Sequence, residues 1–218
     1  MRRTYLHPLP LRLWHWANAI IVVLLLITGT QLRLYGIPEL PRHSPALIIH
    51  RYAGWVMVAS SILWLIYCLA TNHLGRHYAL RRSDVKGILS QTTFYVWSIF
   101  KGEQNPHRVS PDEKFNPLQK IAYSAIMCIV TPVLVTTGLL FSDILFVRNY
   151  ILQWHIVKLL DTIHVIGAYV FAMYLIVHIY MATLGRTPLS HIKAMISGYE
   201  EEPDDSASNG VQQGLAGR

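Results

Sequence analysis

The sequence predicts an all-α membrane protein built as a four-transmembrane-helix bundle. Of its 218 residues, 52% are hydrophobic and only 14% are charged, whereas a soluble domain carries roughly 25% charged residues. Four apolar runs lie at about residues 13–32, 46–70, 121–141 and 156–184. At about 1.5 Å per residue, each run is long enough to cross a hydrocarbon core of about 30 Å.

The first run resembles a signal peptide in one respect, because Arg2 and Arg3 precede it. It is longer than the apolar region of a signal peptide, and no small-x-small cleavage site follows it. We therefore expect it to be retained as the first membrane helix.

Basic residues predict the orientation of the bundle. Of the 19 Lys and Arg residues, 14 lie near the two termini and in or beside the 72–117 loop, and 5 lie at the opposite ends of the spans or in the connections there. Because cytoplasmic loops of membrane proteins carry an excess of Lys and Arg, we expect both termini to be cytoplasmic. The formal net charge of +7 then needs no nucleic acid as a partner.

The segments between and after the runs complete the organisation. Residues 33–45 contain several prolines, as expected for a tight turn, whereas apolar positions in the 72–117 loop recur every three to four residues. This period predicts an amphipathic helix on the cytoplasmic face. Residues 1–199 thus form one membrane domain, and the acidic and polar tail, 200–218, is predicted to be disordered.

Histidines are the unusual feature of the spans. Polar side chains inside a bilayer are costly and are usually functional. Four of the eleven histidines lie within the predicted spans, namely His15, His50, His164 and His178. His164 and His178 are 14 residues apart, a rotation of about 1400°, so both lie on nearly one helix face with about 21 Å between them.

The other two histidines lie at matching depths. His15 is at the cytoplasmic start of the first span, and His50 is near the outer start of the second. An outer pair, His50 with His164, and an inner pair, His15 with His178, provide what two six-coordinate haems need. The residues alone leave two alternatives, a histidine-based proton or metal transporter without haem and four structural histidines.

Small and basic residues near these histidines are compatible with a haem site and also with ordinary structural roles in a membrane bundle. Gly29 and Gly54 leave room for a porphyrin or allow close helix packing. Arg12 and Arg51 lie within one turn of a histidine, where they can pair with haem propionates or mark the membrane interface. The chain has only two cysteines and no CxxC motif, so a zinc knot, an iron–sulfur site and covalent c-type haem attachment lack their ligands.

Several motifs are spread along the chain. Residues 12–16 fit the pattern "R-x-x-H-W". Lys101-Gly102 followed by residues 114–120 resembles "K-G … K-Y-N-x-x-Q-K". Residues 163–182 contain two histidines 14 residues apart, and residues 192–198 match "I-K-x-M-I-x-G". Over about residues 10–200, this set of motifs resembles the bacterial dihaem cytochrome b family, which includes the formate dehydrogenase gamma subunit and the cytochrome b subunits of nickel–iron hydrogenase and thiosulfate reductase.

The resemblance implies a membrane cytochrome b subunit of a respiratory oxidoreductase complex in the bacterial inner membrane. Two b haems on the same histidine pairs would pass electrons between an extracytoplasmic iron–sulfur or multihaem cytochrome subunit and the quinone pool. The implied site for menaquinone or ubiquinone is cytoplasmic, with contacts at Asn116, Leu118, Gln119 and His178. Leu118 departs from the family motif, which has a small residue there, and Asn116 can also cap the third helix.

The resemblance also limits what the chain does alone. Its candidate ligands bind haem, and its outer loops are too short to form a domain for a primary substrate. The expected activity is therefore only the quinone half-reaction, as quinone reductase or quinol oxidase, within a complex.

Overall fold

The computed structural model is mostly helical. It describes residues 2–34, 45–72, 75, 82–103, 105–106, 115–142, 154–185 and 187–202. Four of its helices are long and apolar enough to cross a membrane, α1 (Leu9–Leu34), α2 (Pro45–Thr71), α4 (Pro117–Ser142) and α5 (Trp154–Thr183). They overlap the four predicted spans, so the prediction of four membrane helices is confirmed. Most of the turn predicted at 33–45 lies outside the described residues.

The loop between the second and third membrane helices contains the predicted amphipathic helix. Helix α3 runs over Arg82–Val96 and is followed by a short 3-10 helix, Ser98–Lys101. Large apolar side chains on this segment are exposed, including Leu89, Trp97 and Phe100. The Lys101 ammonium lies 5.1 Å from the centre of the Trp97 ring, a cation–π contact.

Helix α4 is interrupted by a π-helical segment, Ile126–Val130. Pro132 follows it and has no N–H to offer the carbonyl of Cys128, four residues earlier. The turn before the proline widens, and the Thr131 N–H donates to the Ile126 carbonyl, five residues back. Because a π turn contains an extra residue, the two halves of α4 present their side chains in different phases.

The residues group into two units, a central unit (Trp14–Ile176) and a terminal unit (Met1–Leu13 with Val177–Arg218). In the terminal unit, β1 (Arg2–Tyr5) pairs antiparallel with β2 (Tyr199–Glu202), and Tyr5 lies opposite Tyr199. The sequence analysis did not predict this sheet, and it placed residues 200–202 in a disordered tail. The rest of that tail lies outside the described residues.

Gly198 connects the sheet to helix α6 (Ser190–Ser197) within the terminal unit. Its φ angle is 92°, in the left-handed region that glycine adopts without strain. Its carbonyl accepts the amides of Leu6 and His7 at 2.9 and 3.2 Å. A Cβ atom at this position would lie 2.9 Å from the His7 carbonyl oxygen, so the contact requires glycine.

Polar side chains join α1 to α2 inside the central unit. Asn18 Nδ2 donates to Ser60 Oγ at 2.7 Å, and Ser60 Oγ donates to Asn18 Oδ1 at 3.0 Å. The Trp14 and Trp64 rings stack at 4.2 Å. Such interhelical hydrogen bonds and close ring contacts hold membrane helices together, since lipid gives little hydrophobic drive for association.

One ion pair joins the ends of α1 and α5. Arg33 Nη1 lies 3.5 Å from Asp161 Oδ2, and both side chains are about half exposed. Lys158 lies one turn before Asp161 on the same helix and is the nearest cation in the sequence. The structure pairs Asp161 with Arg33, because a cation on a neighbouring helix comes within reach.

Candidate functional site

The two predicted outer histidines face each other in the central unit. His50 on α2 and His164 on α5 have ring centroids 6.4 Å apart, with their planes at 72°. Two imidazoles that bind one metal ion from opposite sides at about 2.0 Å, with about 1.1 Å from nitrogen to ring centre, have centroids about 6.2 Å apart. The observed spacing therefore fits one metal position between the two rings.

A buried threonine contacts each of these histidines. Thr28 Oγ1 lies 2.9 Å from His50 Nδ1, and Thr137 Oγ1 lies 2.7 Å from His164 Nδ1. Both threonines are 4% exposed. Each hydroxyl also donates to the backbone carbonyl four residues earlier, that of Leu24 or Val133, at 2.7 Å.

The single proton of each hydroxyl determines the histidine tautomer. Because the proton is donated to the carbonyl, Oγ1 can only accept from the imidazole. Each imidazole therefore carries its proton on Nδ1 and keeps the lone pair of Nε2, the form that binds a metal through Nε2. The donor set thus fits a haem iron, and His50 and His164 are the residues that would hold it.

Glycines follow both threonines and lie against the rings. A Cβ atom on Gly29 would lie 3.2 Å from His50 Cε1, and one on Gly138 would lie 3.5 Å from His164 Cε1. Gly54, which the sequence also suggested, has no atom within 4 Å of its Cβ position. Thr28, Thr137 and Gly138 were not predicted from the sequence. A Thr-Gly dipeptide in the first and in the third apolar span is the pattern that could have indicated them.

The inner pair is placed in separate units. His15 lies half-buried on α1 in the central unit, with its ring 5.2 Å from that of Trp16. His178 lies half-buried on α5 in the terminal unit. Their pairing stays a prediction.

The two arginines suggested near the haems have different surroundings. Arg12 Nη1 donates to the Ile196 carbonyl at the end of α6, so it has a role in the terminal unit that the sequence did not predict. Arg51 is exposed on α2. The pairing of these side chains with haem propionates stays a prediction.

Three of the four predicted quinone contacts, Asn116, Leu118 and Gln119, lie at the start of α4. Asn116 Oδ1 accepts the Gln119 amide at 2.9 Å, and Gln119 Oε1 accepts the Asn116 amide at 3.1 Å, which forms a capping box. Asn116 Nδ2 donates to the Tyr95 hydroxyl at 3.1 Å, and Asn116 is 2% exposed. Leu118 and Gln119 are half-buried.

A buried ion pair joins α3 to α4 beside this cap. Lys120 Nζ lies 2.9 Å from Asp84 Oδ1, and both side chains are more than nine-tenths buried. Nearby, Gln91 Nε2 donates to Asn105 Oδ1 at 3.0 Å. Burial raises the pKa of the Tyr95 hydroxyl, despite opposing hydrogen bonds from Asn105 and Asn116. The sequence analysis did not predict this polar contact.

A multidentate metal site is not evident in the part of the chain that the structure describes. No three His, Cys, Asp or Glu side chains cluster there. Metal transporters usually add carboxylates or thiolates to their histidines, and the His50–His164 pair lacks such a third ligand in the described ranges.

Two imidazoles that face each other within a membrane helix bundle are typical of haem-binding membrane proteins. The chain belongs to the prokaryotic cytochrome b561 family, whose model matches residues 6–198. It is 32% identical to the cytochrome YdhU of Escherichia coli (strain K12) over 207 residues, which cover 90% of this chain and 74% of YdhU. It is 24% identical to a Ni/Fe-hydrogenase B-type cytochrome subunit of Cupriavidus necator over 230 residues, 94% of this chain and 89% of that protein.

These matches confirm the family resemblance found in the motifs. The chain is a multi-pass membrane b-type cytochrome of electron transport, and membership of the family implies b-type haem.

Proposed function

We propose that this cytochrome is the membrane subunit of a respiratory oxidoreductase complex in the bacterial inner membrane. It passes electrons between an extracytoplasmic redox partner and the membrane quinone pool. The observation that carries this proposal is the facing of His50 and His164 at 6.4 Å, each with a threonine on Nδ1. That arrangement leaves two Nε2 lone pairs for one iron.

A second haem completes the proposed path. His15 and His178 would hold it, and the 14-residue separation of His164 and His178 on α5 supports two levels about 21 Å apart. Bound haem supplies a one-electron iron couple whose potential depends on its axial ligands, hydrogen bonds and burial. With one ligand of each pair on α5, this helix spans both levels.

The quinone side is proposed at the start of α4, on the cytoplasmic face. The capping box uses Gln119 Oε1 and leaves the Nε2 amide outside it, so Nε2 can donate to a quinone carbonyl. Asn116 and Leu118 flank that position, and His178 would connect it to the inner haem. The buried Asp84–Lys120 pair supports a fixed position for this end of α4.

The partner is proposed to be an iron–sulfur or multihaem cytochrome subunit of the same complex. Support comes from the Cupriavidus necator relative, whose name assigns it to a Ni/Fe-hydrogenase. A hydrogenase-like complex would supply the catalytic subunit that oxidises the primary substrate. The direction in which electrons flow follows from that substrate.

The first test is a reduced-pyridine haem assay on the purified full-length protein. We expect about two non-covalent b haems per chain and about one in His164→Ala. The matched control is His155→Ala, because His155 is exposed on the same helix and should leave both haems in place. A wild-type protein without haem would refute the proposal and favour a histidine-based transporter.

The quinone assignment needs a separate test. A quinone analogue should perturb the spectrum of one haem in the wild-type protein. Gln119→Leu removes the proposed donor and should abolish that perturbation while both haems remain. An unchanged response in this variant would exclude Gln119 as a quinone contact without affecting the haem assignment.

A further inference from the structure

Thr28 and Thr137 form the same arrangement on two pairs of helices. Thr28 on α1 contacts His50 on α2, and Thr137 on α4 contacts His164 on α5. In each case a hydrogen-bonded chain runs from imidazole Nδ1–H to threonine Oγ1 and on to a helix carbonyl.

We propose that Thr28 and Thr137 are paired positioning residues. Each hydroxyl holds one axial histidine, His50 or His164, in the Nδ1–H form and at a fixed ring angle, and so sets the reduction potential of the haem between them. The proposal rests on the haem assignment made above. Neither threonine would contact the iron.

The energetics of burial support this role. An Nδ1–H group in an apolar membrane span cannot exchange its partner for water, and losing an acceptor there costs about 1–3 kcal/mol. A backbone carbonyl, that of Leu25 for His50 and that of Leu134 for His164, is a second acceptor, so removing the hydroxyl costs part of that amount. The other tautomer would leave the hydroxyl with two acceptors and only one proton to donate. The threonine chain therefore selects the Nε2 lone pair before any cofactor binds.

The glycines that follow the two threonines affect how closely each helix approaches the histidine ring that it contacts. The Cβ positions of Gly29 and Gly138 are 3.2 and 3.5 Å from the Cε1 atoms of the two rings. At Gly29 the hydrogen of glycine is needed for this approach, whereas a methyl group at Gly138 would be in ordinary van der Waals contact. The Thr-Gly dipeptide thus combines an acceptor for Nδ1–H with the space that the ring occupies.

Back-bonding of threonine to its own helix is the simpler explanation for these hydroxyls. The chain contains suitable comparisons, because Thr71 on α2 and Thr162 on α5 donate to the carbonyls four residues earlier at 2.7 and 2.8 Å. Both of these threonines are exposed. A positioning role therefore predicts an effect of Thr28 and Thr137 that Thr71 and Thr162 lack.

The test measures haem content and midpoint potentials of the full-length protein in nanodiscs. Thr28→Val and Thr137→Val keep the side-chain shape and remove the hydroxyl. Removing the hydrogen-bond partner of a metal-bound histidine typically lowers the affinity for the metal by 10–100-fold. Each variant should therefore lower the affinity for the haem between His50 and His164 by about tenfold. A less basic imidazole stabilises the oxidised iron less, so the midpoint potential of that haem should rise. A tenfold loss of affinity confined to the oxidised form raises it by about 59 mV.

Serine variants separate the hydroxyl from the methyl group. Thr28→Ser and Thr137→Ser should keep the wild-type potential, and Thr71→Val and Thr162→Val should leave both haems unchanged. Unaltered potentials in the Thr28→Val and Thr137→Val proteins would overturn the proposal. Equal loss of haem or of folded protein in the Ser and Val variants would also overturn it, because packing rather than hydrogen bonding would then explain the effect.

Haem content and the threonine variants distinguish failure of the proposed function from failure of the proposed threonine role. A wild-type protein without haem removes the functional assignment itself. A wild-type protein with two haems, together with silent threonine variants, removes only the positioning role.

Discussion

Two buried polar regions of the central unit compensate the removal of their polar groups from water in different ways. The histidine site, formed by His50, His164, Thr28 and Thr137, contains neutral groups joined by hydrogen bonds. The α3–α4 junction, with Asp84 against Lys120, contains opposite full charges at 2.9 Å. Removing a charge from water costs several kcal/mol unless a partner compensates it, whereas a neutral imidazole needs only one acceptor.

The two regions differ in whether their polar groups find all of their partners within the protein. At the junction, each charge has its counterion and Asn116 has its capping partners. At the histidine site, the hydrogen bonds account for Nδ1 of both rings and leave Nε2 to another molecule. We therefore expect substitutions at the junction to change stability first, and substitutions at the histidine site to change cofactor binding first.

Lys120→Ala should have the largest effect on stability. It leaves the Asp84 carboxylate buried without its cation, and breaking such a pair costs about 3–5 kcal/mol. Thermal unfolding in detergent measures the loss. The double variant Asp84→Leu with Lys120→Met is the control, and it should recover most of the stability, since apolar replacements remove both charges. A Lys120→Ala protein as stable as wild type would contradict the comparison.

Asn116→Ala should have a smaller effect in the same region. It removes the side-chain oxygen that caps α4 and the bond to Tyr95, and loss of an N-cap costs about 1 kcal/mol. Asn116→Ser keeps a capping oxygen and is the matched control in the same unfolding assay. Equal stability of the Ala and Ser variants would show that the cap contributes little.

Gly29→Ala should weaken haem binding more than Gly138→Ala. The added methyl would lie 3.2 Å from the His50 ring in one case and 3.5 Å from the His164 ring in the other. Only the first distance is short enough to push the ring, at a cost of about 1 kcal/mol. Haem titration of the two apoproteins measures the difference, and the reverse order would mean that the rings adjust freely.

High pH should produce the smallest effect, again at the junction. Because burial raises the pKa of Tyr95, the fold favours the neutral phenol. This contribution to stability is fully present below the ordinary tyrosine pKa of about 10 and decreases as the pH rises above it. Tyr95→Phe should reduce the slope of stability against pH in that range, with Tyr5→Phe, at an exposed tyrosine outside the membrane helices, as the control.

Periodicity and length were enough to predict the four membrane helices and the positions of His50 and His164. They could not reveal Thr28 or Thr137, because threonine in an apolar helix commonly bonds to its own backbone. The second partner of each hydroxyl depends on how neighbouring helices are rotated. The Arg33–Asp161 pair was missed for the same reason, since the choice between two cations depends on tertiary contacts.

The terminal sheet was beyond prediction for another reason. Strands β1 and β2 have four residues each and lie at opposite ends of the described chain. Segments this short carry no clear alternation, and their pairing is a contact of maximal sequence separation. The same contact places Arg12 at the end of α6, which local sequence could not show.

The pairing of β1 with β2 also bears on biosynthesis. The first strand leaves the ribosome before the four described membrane helices, and the second leaves after them, so the sheet forms only once these four helices have been made. Two paired strands must be on the same side of the bilayer, which an even number of crossings between them satisfies. Failure to insert one of these helices would place the two strands on opposite sides of the membrane, about 30 Å apart, where they could not pair.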